Sequence, residues 1–231
     1  MDYTHWAAYI LSLIERFAPE PQQILELGCG TGSLSVLLHR RLNAAYLATD
    51  NASDMLAVAR RKLGRGRSDL RFENLDFRNI EIDGAFDVAL LAYDGINYLL
   101  ESEQVATLIE QISALLNPAG IFLFDQSTPA NSINNLAYFD DAWDTPQASY
   151  SRSSQYDAGR RLHVTRFDIR AGQERMTEIH YQRAYELQEM ELTVKLSSLR
   201  VEGCYDAFTD MPATGESERI QWVLSKPHPT D

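Results

Sequence analysis

Apolar residues in the first 125 positions follow two alternating patterns. Short apolar runs predict buried strands at residues 24–27, 45–50, 70–77, 86–92 and 121–125. Apolar positions at helical spacing predict helices at residues 9–17, 34–38, 51–60 and 103–116. Strands that alternate with helices in this way are typical of an α/β protein with a mostly parallel sheet.

The pattern changes after about residue 130. Residues 148–152, 162–169 and 174–185 alternate between polar and apolar side chains, and turn residues separate them, which predicts an antiparallel meander. A helix near residues 188–197 and strands near 199–207 and 219–226 then return to the first pattern. The chain is therefore predicted to have a main domain, residues 1–130 and 186–231, interrupted by a β insertion at residues 131–185.

A glycine-rich turn follows the first predicted strand. Gly28, Gly30 and Gly32 stand at alternate positions between that strand and the next helix, which is the layout of a nucleotide-binding βαβ unit. The third glycine comes one residue earlier than in the dinucleotide fingerprint. Glu26 lies just ahead of the turn, where a carboxylate would repel a pyrophosphate but would suit a ligand that carries an amino group.

Two more carboxylates end predicted strands at the same edge of the sheet. Asp50 lies about 20 residues beyond the glycine turn, where this type of fold holds the ribose hydroxyls of a nucleoside. Asp76 ends the third predicted strand. Ser53 is a candidate N-cap for the helix after Asp50. Ligands of open α/β sheets bind at this edge, so the sequence predicts a nucleoside site there.

The pattern Glu26-x-Gly28-x-Gly30-x-Gly32 resembles the first motif of the class I S-adenosylmethionine (SAM) methyltransferases. Later segments resemble the YqeM-like bacterial subfamily: D-x-x-N-Y-L at 94–99, E-x-H-x-x-R-x-Y at 178–185, Y-D-x-F-T at 205–209 and E-S-E-R-I at 216–220. The resemblance implies a Rossmann-like fold with a seven-stranded, mostly parallel sheet whose last strand is antiparallel. It also implies that the small antiparallel insertion after strand five covers the active site.

The resemblance also implies two sets of site residues. Asp76 would accept a hydrogen bond from the adenine amino group, with Leu75 and Phe77 beside the ring and Met55 under the nucleoside. The full cofactor set is Glu26, Gly28, Cys29, Gly30, Thr31, Gly32, Asp50, Asn51, Met55, Leu75, Asp76, Phe77, Ala92 and Tyr93. The candidate catalytic set is Asp94, Asn97, His180, Arg183 and Tyr185.

Each candidate on the acceptor side has a structural alternative. Asp94 or His180 would take a proton from the acceptor, and Arg183 would bind an acceptor carboxylate or phosphate. Alternatively, Asn97 caps the following helix or holds its loop. His180 and Arg183 are alternatively surface residues of the sheet, paired with Glu178 or Glu186.

The implied reaction is displacement at the SAM methyl group, giving S-adenosylhomocysteine (SAH), with a small molecule accepting the methyl at O, N or C and no metal. A non-catalytic SAM or SAH sensor would need Glu26, Asp50 and Asp76 but not Asp94 or His180. An NAD-dependent oxidoreductase would share the fold and Asp50, but Glu26, the position of Gly32 and Asp76 argue against it.

Charge narrows the class of partner. The net charge is −12, from 33 acidic and 21 basic residues, whereas nucleic-acid binders usually carry a basic surface. The basic segment at residues 60–67 lies at a predicted helix end, where it complements the helix dipole. We therefore expect no nucleic-acid partner.

Other sequence features bear on the cellular compartment and on the N-terminal segment. Two cysteines, no signal peptide and no membrane-length apolar run predict a cytoplasmic protein. A monomer or homodimer is expected, although no sequence feature fixes the oligomeric state. YqeM-like proteins usually carry a further N-terminal segment that helps to close the site, whereas this chain starts at Tyr3-x-x-Trp6.

Overall fold

The computed structural model describes residues 2–63 and 69–228. Residues 64–67 of the predicted basic segment lie outside the described residues. Within the described part, the strands in chain order are β1 Gln23–Leu27, β2 Ala45–Asp50, β3 Leu70–Asn74, β4 Phe86–Leu91, β5 Leu116–Ser127, β6 Asp141–Asp144, β7 Ala148–Asp157, β8 Leu162–Ala171, β9 Glu174–Arg183, β10 Arg200–Asp206 and β11 Arg219–Ser225. The helices are α1 Tyr3–Phe17, α2 Ser33–His39, α3 Ser53–Leu63, α4 Ser102–Leu115, α5 Pro129–Asn134 and α6 Leu187–Lys195, and two 3₁₀ turns span Gly95–Tyr98 and Leu136–Phe139.

Seven strands form the main sheet in the order β10-β11-β5-β4-β1-β2-β3. Strand β1 lies between β2 and β4 and runs parallel to both, while β11 runs antiparallel to β5 and β10. The predicted fold class, a mostly parallel sheet whose last strand is antiparallel, is therefore confirmed. Because β1 to β5 are parallel, their carboxyl ends meet at one edge, which also receives the start of β11.

Helices cover both faces of the main sheet, as the near-continuous apolar runs of its strands require. One face packs against α1, α2 and α3 through buried residues such as Ile10, Leu34 and Leu56. The other face packs against α4 and α6 through residues such as Ile112 and Val194. None of the helices described here is long and apolar enough to cross a membrane.

A second sheet, in the order β6-β7-β8-β9, is antiparallel throughout. Its three long strands were predicted from their alternating pattern, although β7 and β8 extend five and two residues beyond their predicted ends and β9 ends two residues earlier. Strand β6 and helix α5 were not predicted because both are short. Thr128 caps α5 by accepting a hydrogen bond from the Asn131 N–H, and Pro129 occupies its first position.

The prediction that Ser53 is the N-cap of α3, the helix after Asp50, is wrong. Helix α3 begins at Ser53 itself, and the Leu56 N–H donates to the carbonyl of Ala52. Ala52, which has no side-chain acceptor, therefore stands in the N-cap position. The Asp50 carboxylate accepts the Ala52 N–H at 2.8 Å and so holds the backbone just ahead of the helix.

Candidate functional site

The glycine turn between β1 and α2 keeps its backbone in the left-handed region. Gly28, Gly30 and Gly32 have φ values of +64°, +55° and +68°. A Cβ on Gly30 would meet nothing within 4 Å, so this glycine leaves open space next to the backbone. A Cβ on Gly32 would lie 2.8 Å from Ala59 Cβ and from the Phe72 ring. Gly30 therefore leaves open space beside the loop, whereas Gly32 lets the loop pack on α3 and β3.

Asp50 holds this turn in place from the end of β2. One carboxylate oxygen accepts the Gly30 N–H at 2.7 Å, and the other accepts the Ala52 N–H at 2.8 Å. A carboxylate has about four acceptor positions, so Asp50 can still accept two ribose hydroxyls. Asp50 thus connects the glycine turn to the place where the sequence predicts a nucleoside.

Glu26 is buried beneath the turn, with 2% of its surface exposed. Its carboxylate accepts a hydrogen bond from the Tyr46 hydroxyl at 2.8 Å. Burial raises the pKa of Glu26 to about 7, and hydrogen bonds from Ser35 and Tyr46 oppose that rise. A ligand ammonium group nearby would favour the charged carboxylate. Burial also raises the pKa of the Cys29 thiol, which makes Cys29 a poor nucleophile.

The residues predicted to surround the nucleoside follow the ends of β2 and β3. The Arg78 guanidinium donates hydrogen bonds to both oxygens of the Asp76 carboxylate, from Nε at 2.9 Å and from Nη2 at 2.5 Å. These bonds lower the pKa of Asp76. Asp76 would have to share its oxygens between Arg78 and an adenine amino group. Met55 on α3 is 43% exposed, and the carbonyl of Asn51 accepts a hydrogen bond from the Asn74 amide at 3.0 Å.

The loop after β4 is strained at two consecutive residues. Tyr93 and Asp94 have φ values of +59° and +49°, although neither is glycine. The Asp94 N–H donates to the Asp125 carboxylate at 2.9 Å, and this bond helps to hold the loop. The Tyr93 ring lies 4.3 Å from the Trp6 ring and 5.5 Å from the Tyr3 ring, so α1 covers the loop. Strain of this kind is typical of functional sites.

The side chains of Asp125, Gln182 and Arg219, which are far apart in the chain, all bond Asp94. Arg219 Nη1 lies 2.9 Å from Asp94 Oδ1 and also bonds Asp125. Gln182 Nε2 lies 2.5 Å from Asp94 Oδ2. Burial raises the pKa of Asp125 to about 6 and Arg219 opposes the rise. Neither Arg219 nor Gln182 was in the predicted site. Both lie inside the segments 216–220 and 178–185 that carry the family resemblance, which was the available signal.

A cleft of about 280 Å³ lies between this loop, the second sheet and the start of β11. Its polar lining includes Asp94, Asn97, His163, His180, Gln182 and Arg219. His163 was not predicted to belong to the site. It is buried, its Nδ1 lies 3.1 Å from Ser132 Oγ, and burial lowers its pKa, so the imidazole is neutral at pH 7.

Two of the predicted acceptor-side residues line this cleft while making structural bonds. His180 Nδ1 lies 2.6 Å from the Tyr98 hydroxyl, and its Nε2 lies 3.4 Å from Glu178. The Asn97 amide donates to the carbonyls of Ser127 and Arg183, at 2.8 and 2.6 Å, and accepts the Ser127 N–H at 2.9 Å. Asn97 therefore ties the loop after β4 to β5 and to β9.

The cleft lining does not include Arg183 or Tyr185. The Arg183 guanidinium bonds Glu189 at 2.5 Å and the Leu100 carbonyl at 3.0 Å. Its carboxylate partners are thus Glu189 and, at 3.5 Å, Glu101, and the sequence had predicted neither of them. Tyr185 is 1% exposed and donates to the Leu99 carbonyl at 2.5 Å. Both side chains fix the junction between the second sheet and α6.

Comparison with known proteins found similar methyltransferases. Residues 24–120 match the family described as methyltransferase domain. YqeM of Bacillus subtilis (strain 168), whose name marks it as a candidate methyltransferase, is 28% identical over 97% of this chain and 90% of its own length.

Two solved structures share the fold. One is a SAM-dependent methyltransferase from Clostridium acetobutylicum ATCC 824, with a TM-score of 0.82 at 23% identity over 98% of this chain and 93% of that chain. The other is SAM-bound CalS10 from Micromonospora echinaspora, an amino pentose methyltransferase, with a TM-score of 0.71 at 17% identity over 98% of this chain and 92% of that chain.

The fold, the glycine turn and these matches together support a SAM-dependent methyltransferase, and the predicted resemblance to the YqeM-like proteins is confirmed. The residues at the turn fit the cofactor, since Gly30 leaves space for it and Glu26 and Asp50 offer carboxylates. In the part of the chain that the structure describes, no group of three or more His, Cys, Asp or Glu residues is arranged to hold a metal ion.

Proposed function

We propose that this enzyme transfers a methyl group from SAM to a small-molecule acceptor that sits in the cleft behind Asp94. One observation carries the proposal: the cleft and the glycine turn lie at the same edge of the main sheet. The turn follows β1, while Tyr93 and Asp94, which line the cleft, follow β4, and β1 pairs with β4 in parallel.

The predicted cofactor residues would contact different parts of SAM. Gly28 and Gly30 would let the ligand approach the backbone, Glu26 would face its amino group and Asp50 its ribose hydroxyls. Asn51, Met55, Leu75, Asp76 and Phe77 would surround the nucleoside, while Cys29, Thr31, Ala92 and Tyr93 would complete the wall. When bound, SAM supplies an electrophilic methyl carbon and leaves as SAH.

The acceptor side has to position a nucleophile and take its proton. Asp94 and His180, together with the neutral His163, offer acceptors for that proton within one cleft. Arg219 and Gln182 hold both oxygens of Asp94, so its carboxylate is fixed in direction before an acceptor arrives. Asn97 keeps the floor of the cleft in place. Much of the rate would come from this positioning.

The cleft favours a small acceptor over a macromolecule. Its volume of about 280 Å³ lies at the lower end of ligand sites. The net charge of −12 opposes a nucleic acid. The amino pentose methyltransferase CalS10 has the same fold, which supports an acceptor that offers an amine or hydroxyl on a polar ring.

We also propose that the enzyme works in the cytoplasm as a monomer or homodimer. Cys29 is buried and Cys204 is half-buried, and both are free thiols, as a reducing compartment favours. Static light scattering of the purified enzyme would give the oligomeric state, and fractionation of its host cells would give the compartment.

Calorimetric titration tests the cofactor half of the proposal. We expect micromolar binding of SAM and SAH, with no binding of NADH or ATP. Asp50→Ala should weaken SAH binding by about 100-fold, because two charge-assisted hydrogen bonds are lost. Asp54→Ala, which removes an exposed carboxylate from α3, the helix that follows Asp50, is the matched control and should bind normally. NADH binding in place of SAH would instead favour an oxidoreductase.

Transfer of a radioactive methyl group tests the acceptor half. We expect label from methyl-tritiated SAM to enter the small-molecule fraction of a cell extract, and not its RNA or protein. Asp94→Asn should lower that incorporation while SAH binding stays within twofold of normal. SAH binding without incorporation into any fraction, and without effect of Asp94→Asn, would indicate a sensor.

A further inference from the structure

The second sheet has one face that lines the cleft, here called the inner face. The pairing of β7, β8 and β9 aligns its residues in rows across the strands: His163 faces Gln182, and Thr165 faces His180. All four line the cleft. Because side chains alternate along a strand, every second residue of each strand continues this face outwards.

The same register continues the inner face into an apolar row. Trp143 of β6 pairs with Tyr150 of β7, Tyr150 with Ile169 of β8, and Ile169 with Met176 of β9. This apolar row lies four residues along β8 from Thr165, which is about 13 Å. The inner face therefore changes from polar near Asp94 to apolar at its outer end.

A continuous path of rings joins the apolar row to the cleft. The Trp143 and Tyr150 ring centres are 6.3 Å apart, and those of Tyr150 and Phe167 are 6.1 Å apart. Phe167 in turn lies 4.9 Å from the ring of His180, which lines the cleft. These are distances at which aromatic rings contact one another. A flat or apolar group could lie along the path without leaving the protein surface.

In the part of the chain that the structure describes, the apolar row is left partly open to solvent. Trp143 is 53% exposed and Met176 is 51% exposed, while Tyr150 and Ile169 are half-buried. Between this row and the cleft, Arg152 and Glu178 flank Phe167 on the inner face. Arg152 is paired with Asp141 at 2.9 Å, and Glu178 lies 3.4 Å from His180. An uncharged group can therefore cross that level without meeting an unpaired arginine.

We infer that the methyl acceptor has two parts: a polar head in the cleft and an apolar or aromatic extension that covers the apolar row. The inference rests on the proposed function, because it assigns the cleft to the acceptor. The extension starts about 13 Å from the His180 level, so an acceptor limited to a single sugar ring would not reach it. A polar molecule with an alkyl or aryl tail of that reach fits both ends of the inner face.

The test uses alkyl glucosides as probes, because they join a polar ring to an apolar chain of chosen length. Butyl, octyl and decyl glucoside are titrated calorimetrically below their micelle concentrations, with and without saturating SAH. We expect affinity to rise at least tenfold from butyl to octyl, since each buried CH₂ strengthens binding several-fold. Trp143→Ser and Met176→Ser should each remove most of this gain and leave SAH binding unchanged.

Ile179→Ser and Tyr181→Ser are the matched controls. These residues are 47% and 48% exposed on the same strand as Met176, but they point to the opposite face. They should keep the full dependence on chain length. Melting temperatures of all four variants check that each is folded, which the exposure of these side chains favours.

Each other outcome contradicts the inference. The inference is wrong if affinity does not rise with alkyl chain length, or if the control variants lose that rise equally. Normal SAH binding in the same experiment would leave the proposed function standing. If light scattering shows a dimer that Trp143→Ser dissociates, a second copy covers the apolar row and the inference is wrong. If the unaltered enzyme does not bind SAH, the proposed function fails and the inference fails with it.

Discussion

Arg219 Nη1 lies 2.9 Å from the Asp94 carboxylate and at the same time bonds the buried carboxylate of Asp125. Asp125 in turn accepts the backbone N–H of Asp94. The three residues form a closed triangle that fixes a strained loop from both its side chain and its backbone. Removing the cation would leave two carboxylates facing each other, one of them with only 1% of its surface exposed.

We therefore expect Arg219→Gln to lower the free energy of unfolding by about 3 kcal/mol at pH 8, because it leaves a buried charge unpaired. The pKa of Asp125, about 6, lies above its ordinary value, so the folded state binds this proton more tightly than the unfolded state. Stability from this group is thus present at low pH and is lost as pH rises through 6. The cost of Arg219→Gln should be smaller at pH 5 than at pH 8.

Denaturant unfolding at the two pH values measures this difference. The double variant Arg219→Gln/Asp125→Asn is the control, since it removes both charges and should recover part of the loss. An equal cost at pH 5 and pH 8, or no recovery in the double variant, would contradict the role given to Asp125.

The buried Glu26 carboxyl predicts a second pH effect. Burial raises its pKa to about 7, so its contribution to folding weakens as pH rises between about 4.5 and 7. Glu26→Gln should stabilise the ligand-free protein by about 2 kcal/mol at pH 8 and by almost nothing at pH 4.5. SAH binding by the variant should fall, because the carboxylate that would face the ligand amine is lost. Equal stability at pH 8, measured by thermal unfolding, would speak against the pKa shift.

Two glycines of the same turn should respond differently to alanine. Gly32→Ala places a Cβ 2.8 Å from Phe72 and Ala59 at a φ of +68°, so it should cost about 2–4 kcal/mol of stability. Gly30→Ala meets no neighbour within 4 Å and should cost about 1 kcal/mol for its φ alone. SAH affinity should nevertheless fall more for Gly30→Ala when measured on folded protein by calorimetry. The reverse order of affinities would mean that the ligand does not lie against Gly30.

Variants of Asn97 and Tyr185 distinguish a structural role from a catalytic one. Asn97→Ala leaves three backbone groups without their partner and should cost about 3 kcal/mol. Tyr185→Phe leaves only the Leu99 carbonyl unpaired and should cost about 1 kcal/mol. We expect Tyr185→Phe to keep normal methyl transfer, measured below its melting temperature. A large loss of turnover with unchanged stability would instead support the catalytic role suggested by the sequence.

Local sequence was enough for the parts of the fold that depend on neighbours in the chain. The strand, glycine turn and helix around Gly28 to Gly32 are encoded within a few residues, and the alternation of β8 is visible from its side chains alone. The N-cap of α3 was assigned to Ser53, one residue too late, because Asp50 at the end of the preceding strand holds Ala52 in position for the helix to begin. Helix ends are uncertain by one or two residues when they are read from sequence.

The acceptor side depends on partners that lie far away in the chain. Arg183 and Asn97 have polar side chains that suit substrate binding, yet their bonds go to Glu189 and to the Ser127 and Arg183 carbonyls. Arg219 meets Asp94 only because β11 runs antiparallel beside β5. Neither sequence spacing nor residue type reveals the contact between Arg219 and Asp94, because it depends on which strands lie side by side in the sheet.

The direction of β11 also has a consequence for how the protein is made. Asp125 and Arg219 are 94 residues apart in the chain. During synthesis the β5 carboxylate therefore leaves the ribosome well before the guanidinium that neutralises it. A nascent chain that ends between them has either to keep Asp125 in water or to bury it protonated. The loop at Asp94 can reach its final shape only once β11 has been added, so the acceptor site is among the last parts of this enzyme to form.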